Sequence, residues 1–356
     1  MAEPHAHLDK ALLASSTTNE TGDLLGAIDA MNLAMSTGQF SRQSLVARAT
    51  AALEMLIAHG VTAVRTHVNV GDGFGAAYVE AVMEARSQCR DLIDVQIVAL
   101  THSPLAGAAG AANRVALAAA LAAGVDLVGA CPHLDSDPAG CLAVVFDAAE
   151  EAGLGIDLHT DETLDPTVLT LREMARTVQQ RGFPHPVAAS HCVSLSMQTL
   201  DVQRGVAAEV AAAGISVIPQ PQTNLYLQSR GATTAAPRGL APIDVLREAG
   251  VLVAAGGDNV QDPFNPIGRG DPLETAALLV LAGHQLPDVA YRMVSNDARE
   301  VMGFERVEMQ VGDPADFVVM SVGSAREAIA MAGHNRLVFK AGRLVASSVS
   351  QLTIHR

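Results

Sequence analysis

Short runs of β-forming apolar residues alternate along the chain with longer stretches whose apolar positions recur every three or four residues. The short runs are the opening "AEPHAHLD", then "TAVRTHVNV" (62–70), "LIDVQIVAL" (92–100), "VDLVGACPH" (125–133), "LGIDLHTDE" (154–162), "HPVAASHC" (185–192), "GISVIPQP" (214–221) and "VLVAAGGDN" (251–259). Between them lie helical candidates at 41–59, 73–88, 138–152, 166–182, 197–213 and 242–249, and "AGAANRVALAAALAAGVDLVGA" reads as a helix followed by a strand. Gly60, Gly124, Gly153, Gly214 and Gly250 stand at helix stops, where a left-handed residue is most easily a glycine. Eight strands alternating with helices predict a closed parallel (β/α)8 barrel, a TIM-like α/β fold. Near-continuous apolarity suits strands covered on both faces. An open doubly wound sheet is the alternative, but no GxGxxG follows a strand.

From residue 312 the pattern changes: "GDPADFVVM" and "RLVFKAGRLVAS" read as strands with a Gly turn, outside the barrel series. Two or three strands alone make a marginal unit. The expected division is a barrel over 1–310 and a small β-segment over 311–356.

Composition narrows the function classes. At 49% apolar residues the 356-residue chain can bury a large core, yet no apolar run reaches the roughly 18 residues of a membrane span. The amino terminus lacks the basic and apolar regions of a signal peptide, so the cytoplasm is the default location. Four cysteines (Cys89, Cys131, Cys141, Cys192) show neither metal-ligand spacing nor a disulfide framework. A formal charge of -15, with no basic runs, argues against nucleic acid or an anionic membrane as partner. A small molecule remains, with self-association left open.

The polar residues worth attention sit at the carboxyl ends of the strands, where barrel enzymes place their chemistry. His5 and His7 alternate onto one face of the first strand and can grip one divalent ion together. His159, His191 and Asp258 end the fifth, sixth and eighth runs. Each alone suits a hydrogen-bonded structural role; together they surround one barrel mouth with enough donors for a site of three nitrogens and one oxygen. His67 and His133 read as packing or supporting residues; His59, His185, His284, His334 and His355 read as surface or loop positions. Cys192 follows His191 and alternates to the opposite face.

The segments "EPHAHLDK", "RTHVNV", "GACPH", "HTDE", "ASH", "NLYLQSRG" and "GGDNVQDPFNPIG" resemble, in order, segments of the cytosine deaminase branch of the amidohydrolase superfamily. The likeness runs from residue 3 to the final strands. It implies His5, His7, His159 and Asp258 as ligands of one divalent ion, zinc or iron(II). It also implies Glu162 as general acid and His191 as the group that orients and deprotonates the water, with Asp258 sharing that proton. Physically, a metal with an open position acidifies bound water to a pKa of roughly 7. The hydroxide then attacks a ring carbon bearing an exocyclic nitrogen, and Glu162 protonates the ring nitrogen. Dinuclear members of the superfamily bridge their ions with a carboxylated lysine at the fourth strand's end. The only lysines here are Lys10 and Lys340, so one ion is expected.

Specificity is where the chain departs from authentic cytosine deaminases. His102 stands where they carry a glutamine, Asn259 where they carry a second aspartate, and Lys10 where they tend to have a neutral residue. Lys10 and Asn259 look more like triazine-processing relatives such as the N-isopropylammelide aminohydrolases. Each also has a plain structural reading: Lys10 as partner of Asp9 or another acid, His102 as a loop residue, Asn259 as a hydrogen bond to a neighbouring loop. With Lys10, His102 and Asn259 as substrate contacts, the expectation is deamination of an amino-substituted N-heterocycle or cyclic amidine with release of ammonia. Release of a substituted amine, opening of an amide, and an impaired metal-binding remnant are the competing readings. Relatives carry a longer stretch before the HxH strand, forming most of a β-sandwich that the carboxyl-terminal strands complete. The β-segment is therefore expected to be a remnant of that sandwich, and the natural product to begin upstream.

Overall fold

The computed structural model describes residues 1–355. Seven strands, β1 (Ala2–Ala6), β2 (Ala63–Val70), β3 (Asp94–Thr101), β4 (Leu127–Ala130), β5 (Gly155–Thr160), β6 (Val187–His191) and β7 (Ser216–Ile218), form a parallel sheet in chain order. Helices α1 (Leu24–Ser36), α2 (Arg42–Ala58), α3 (Ala77–Gln88), α4 (Ala111–Ala123), α5 (Pro138–Ala152), α6 (Thr170–Arg181) and α7 (Leu200–Ala212) return the chain between strands. Shorter helices follow: α8 (Pro221–Leu227), α9 (Ile243–Glu248), α10 (Pro272–Leu281), α11 (Pro287–Met293) and α12 (Asn296–Val301). The expected TIM-like barrel is the observed fold, with α1 an addition the sequence reading did not place.

Local chemistry explains these elements. In α6, Leu171, Met174, Ala175 and Val178 are buried at the spacing of one helical face. Gly124, Gly153 and Gly182 end their helices in the left-handed conformation. Asp137 caps α5, its carboxylate accepting from the Gly140 N–H at 3.0 Å.

The eighth leg corrects the expectation of a regular strand over 251–259. It closes the barrel through single bridges, Val217 to Val253 and Ala6 to Asp258. Two features break the ladder. Asp258 adopts φ +64, and the Gly257 N–H is taken by the Glu3 carboxylate, 3.0 Å from each oxygen. Glu3 Oε1 also accepts from the His5 N–H at 3.1 Å, so one buried carboxyl stitches the first leg to the last. Gly256 permits this closeness: a Cβ there would lie 2.6 Å from Glu3 Oε1 and 3.0 Å from the His5 carbonyl oxygen.

The terminal segment is an antiparallel sheet of β8 (Phe317–Met320), β9 (Arg336–Lys340) and β10 (Arg343–Ser348), with β9 central and α13 (Ala325–Met331) between the first two. Ion pairs, one of them buried, tie it to the barrel. The Arg336 guanidinium makes a two-pronged contact with Asp271, at 2.9 and 2.7 Å, and donates to the His59 carbonyl at 2.7 Å. Lys340 bridges Asp94 and Asp316. Among the described residues no helix is long and apolar enough to cross a membrane.

Candidate active site

His5 and His7 leave β1 at the barrel's carboxyl end and both are buried. Their Nδ1 atoms are held from behind: His5 Nδ1 lies 2.8 Å from Ser190 Oγ, and His7 Nδ1 lies 3.1 Å from the His67 carbonyl. Both Nε2 atoms therefore face inward. His7 Nε2 is 3.1 Å from His159 Nε2 and 3.2 Å from Asp258 Oδ1, while His5 Nε2 is 3.6 Å from the same oxygen. Donors placed about 2.0–2.1 Å from a shared ion in a tetrahedron sit about 3.3 Å apart. The three separations bracket that edge length.

Buried polar atoms without partners point the same way. His5 Nε2 and Asp258 Oδ1 have no hydrogen-bond partner. Burial, then the neighbouring imidazoles, hold His5 and His159 well below the ordinary histidine range, leaving them neutral, as metal ligation requires. At Asp258 burial pushes upward, but His7 at 3.2 Å, His191 and Lys10 outweigh it and hold the carboxyl low. A divalent ion fits this donor set.

His67 joins the cluster more closely than a packing role implies. Its ring stacks on His5 with centroids 4.0 Å apart, and neither nitrogen has a hydrogen-bond partner. The donor atoms of His5, His67 and His159 lie within 4.8 Å of one another, as do those of His5, His191 and Asp258.

Beside the cluster sits a second group. His191 Nδ1 lies 3.3 Å from Asn224 Oδ1 and 3.6 Å from Glu162 Oε1, and the Asn224 amide donates to Glu162 Oε1 at 3.4 Å. Asn224 presents its oxygen to His191, so His191 carries its proton on Nδ1 and turns a bare Nε2 toward Asp258, 4.0 Å from Oδ2. Burial lowers this imidazole to about 4. Burial also pushes the Glu162 carboxyl up to about 8, with Asp258 adding to the rise and Lys10 opposing it. Asp161, His191 and Asp258 all have left-handed backbone, with φ of 53, 67 and 64. Non-glycine residues accept that cost mainly where a side chain must be aimed.

The Amidohydrolase family matches residues 2–346. The chain belongs to that family. A pterin deaminase of Rhizobium rhizogenes is 33% identical over 353 residues, covering 98% of this chain and 80% of that protein. An N-isopropylammelide isopropylaminohydrolase structure from Burkholderia multivorans has a TM-score of 0.83 and 28% identity, over 98% of this chain and 85% of the other. A 5-methylcytosine deaminase from Klebsiella pneumoniae, liganded with phosphonocytosine, has a TM-score of 0.88 at 24% identity, over 99% and 87%; at that identity the likeness speaks for the fold. As a member of the amidohydrolase deaminase branch, the chain is a hydrolase of non-peptide carbon–nitrogen bonds in cyclic compounds.

The three residues read as substrate contacts fare differently. Lys10 is 5% exposed, its Nζ rests 3.9 Å from the centre of the Phe264 ring, and no carboxylate among the described residues lies within 4.0 Å of it. The plain reading of Lys10 as an ion-pair partner of Asp9 therefore does not hold; Asp9 instead accepts from the Asn69 backbone and side-chain N–H groups. His102 Nε2 lies 3.0 Å from Asn69 Oδ1, and its ring sits edge-on to Phe74. Asn259 is tied up on both sides: its oxygen accepts from Thr223 Oγ1 at 3.0 Å and its nitrogen donates to Asp262 at 2.8 Å. The sequence reading gave no role to Asn224, to Gln220, whose oxygen accepts from the His191 backbone N–H at 2.8 Å, or to the polar residues beneath His5. For His67 a signal existed: Arg65, His67 and Asn69 share one parity on β2.

Proposed function

We propose that this protein deaminates a small amino-substituted N-heterocycle carrying a ring amide or amidine edge, with pterins the leading substrate class, and that it acts in the cytoplasm. The observation that carries this reading is the approach of His7 Nε2 to His159 Nε2 and to Asp258 Oδ1, with His5 Nε2 beside the same oxygen, next to the raised carboxyl of Glu162. The 33% identity to a pterin deaminase supports the substrate class. His5, His7, His159 and Asp258 would hold one zinc or iron(II) ion, a set of nitrogen and oxygen donors suited to either.

When bound, such an ion supplies a water acidified toward neutral pH. The chain's own groups do the rest. His191, neutral and with Nε2 bare, would take up a proton or hydrogen bond at that atom, with Asp258 Oδ2 4.0 Å away to share it. Glu162, protonated at neutral pH, would donate to the ring nitrogen; of the two protons of the water consumed, one would leave with the amine as ammonia and the other would restore Glu162. Asn224 contacts both His191 and Glu162 and keeps the two in register. Lys10, with no acid partner, is suited to an oxygen-bearing edge of the ring; His102 borders the same mouth. Asn259 is assigned to anchoring the loop after the eighth leg. Residues 311–356 are assigned to bracing the barrel rather than to chemistry.

The test is ammonia release from pterins, aminopyrimidines, aminotriazines and creatinine-like cyclic amidines, using protein of measured metal content. Turnover of a pterin with stoichiometric ammonia supports the reading. Release of an alkylamine from N-alkyl triazines, with no ammonia from any ring, would replace it with the amine-releasing alternative.

A further inference from the structure

Beneath the imidazoles the barrel core holds a guanidinium. Arg65 on β2 is 3% exposed and donates to Asp157 Oδ2 at 2.7 Å, to Gln96 Oε1 at 3.0 Å and to the Val301 carbonyl at 3.2 Å. Asp157 is fully buried on β5, two residues before His159. Its other oxygen, Oδ1, accepts from Ser190 Oγ at 3.1 Å, and Ser190 Oγ in turn lies 2.8 Å from His5 Nδ1. His67 Nε2 is 3.7 Å from the same Asp157 oxygen. Four buried side chains on four different strands thus run in line from the barrel floor to the inner ring.

The direction of each bond follows from what each group can do. A guanidinium only donates, and the carboxylate beside it only accepts. Ser190 has a single hydroxyl hydrogen. Given to Asp157, it leaves the Ser190 oxygen as an acceptor, and the partner at 2.8 Å must then be a donor. Nδ1 of His5 therefore carries the imidazole proton, and Nε2 is a lone pair. That Nε2 is the atom found without a partner, 3.6 Å from Asp258. The opposite arrangement strips Asp157 Oδ1 of its donor and aims a proton into the ring of ligand atoms; a buried carboxylate oxygen left unmatched is costly.

We propose that Asp157 and Ser190 are positioning residues that fix the tautomer and ring rotation of His5, with Arg65 setting the polarity of the chain. The proposal rests on the reading of His5 as a ligand of the ion. Outer partners of this kind are worth 10–100-fold in metal affinity.

The experiment uses metal-stripped protein titrated with Zn2+ against a chromophoric chelator, comparing wild type, Ser190→Ala, Asp157→Asn and His5→Ala. It is paired with long-range 1H–15N spectra of the imidazoles, in which the His5 signals are those missing from His5→Ala. The expected results are a 10–100-fold weaker Zn2+ affinity in Ser190→Ala and Asp157→Asn, and an Nδ1–H tautomer for His5 in wild type that becomes a mixture in Ser190→Ala. Wild-type affinity in Ser190→Ala, or an Nε2–H His5 in wild type, overturns the proposal. Should either variant fail to fold, the wild-type spectrum still decides. Zn2+ binding unchanged in His5→Ala removes the ligand reading instead, and the tautomer remains separately readable.

Discussion

Replacing Glu162 by glutamine separates chemistry from stability. Burial, with Asp258 adding to it, holds this carboxyl at about 8 against an ordinary value of 4.5. At pH 7 about nine-tenths of molecules carry the acid form, whereas an unperturbed glutamate would carry it in well under 1%. Glutamine cannot donate an acidic proton, so kcat falls by about 10²–10⁴-fold. The stability effect has the opposite sign. Below 4.5 both folded and unfolded chains hold the proton. Between 4.5 and about 8 only the folded chain does, so wild-type stability falls as pH rises through that window and levels off above it. Each pH unit there costs about 1.4 kcal/mol, which makes metal-stripped Glu162→Gln more stable than wild type by about 3 kcal/mol at pH 7 and by almost nothing at pH 4. Urea unfolding of both proteins from pH 4 to 8.5, with kcat measured alongside, provides the assay. A difference in stability that does not change with pH, or a kcat within tenfold of wild type, would refute the reasoning.

Other expectations follow from the same geometry. The alkaline limb of kcat/KM for wild type should fall near pH 8, because turnover needs the protonated Glu162; a limb that continues level to pH 9.5 would count against that role. Lys10→Met should raise KM for an oxygen-bearing heterocycle more than it lowers kcat, read from steady-state kinetics; a loss confined to kcat would place Lys10 elsewhere in the reaction. Gly256→Ala forces a methyl against Glu3 and His5, and should reduce metal content of the purified protein, with full retention showing that the seam gives way harmlessly. Arg336→Met leaves Asp271 buried without its partner and should cost about 3–5 kcal/mol in urea unfolding. Its kcat per folded molecule should stay unchanged.

How much of this was legible in the sequence depends on which contacts are local. Seven strands could be read because each is a short β-forming run set off by helical or turn patterns, and the histidines of β1, β5 and β6 stand near the carboxyl ends of theirs. The eighth leg was placed by the run at 251–259, but its irregular pairing was not legible, since its ladder is interrupted by the carboxyl of Glu3, far away in the chain. Helix α1 was missed because it buries mainly small residues, Ala27, Ala30, Met31 and Ala34, while Leu25 and Leu33 lie 70% and 63% exposed. Its apolar positions therefore mark no single face. The resemblance to deaminase segments supplied His5, His7, His159, Glu162, His191 and Asp258, and the fold brings all six together. The line from Arg65 through Asp157 and Ser190 needed the pairing of β5 with β6, which sets His159 opposite Ser190. Asn259, read as a substrate contact from its place in the family pattern, has its amide engaged by Thr223 and Asp262, and the Thr223 contact bridges residues too distant in sequence for a local pattern to show.

The most direct test is an anomalous-difference map from crystals of the protein grown with zinc and collected at the zinc edge. One peak about 2.0–2.2 Å from the inward nitrogens of His5, His7 and His159 and from an Asp258 oxygen is the predicted result. An empty centre, with zinc found elsewhere or those four side chains turned apart, would contradict the account.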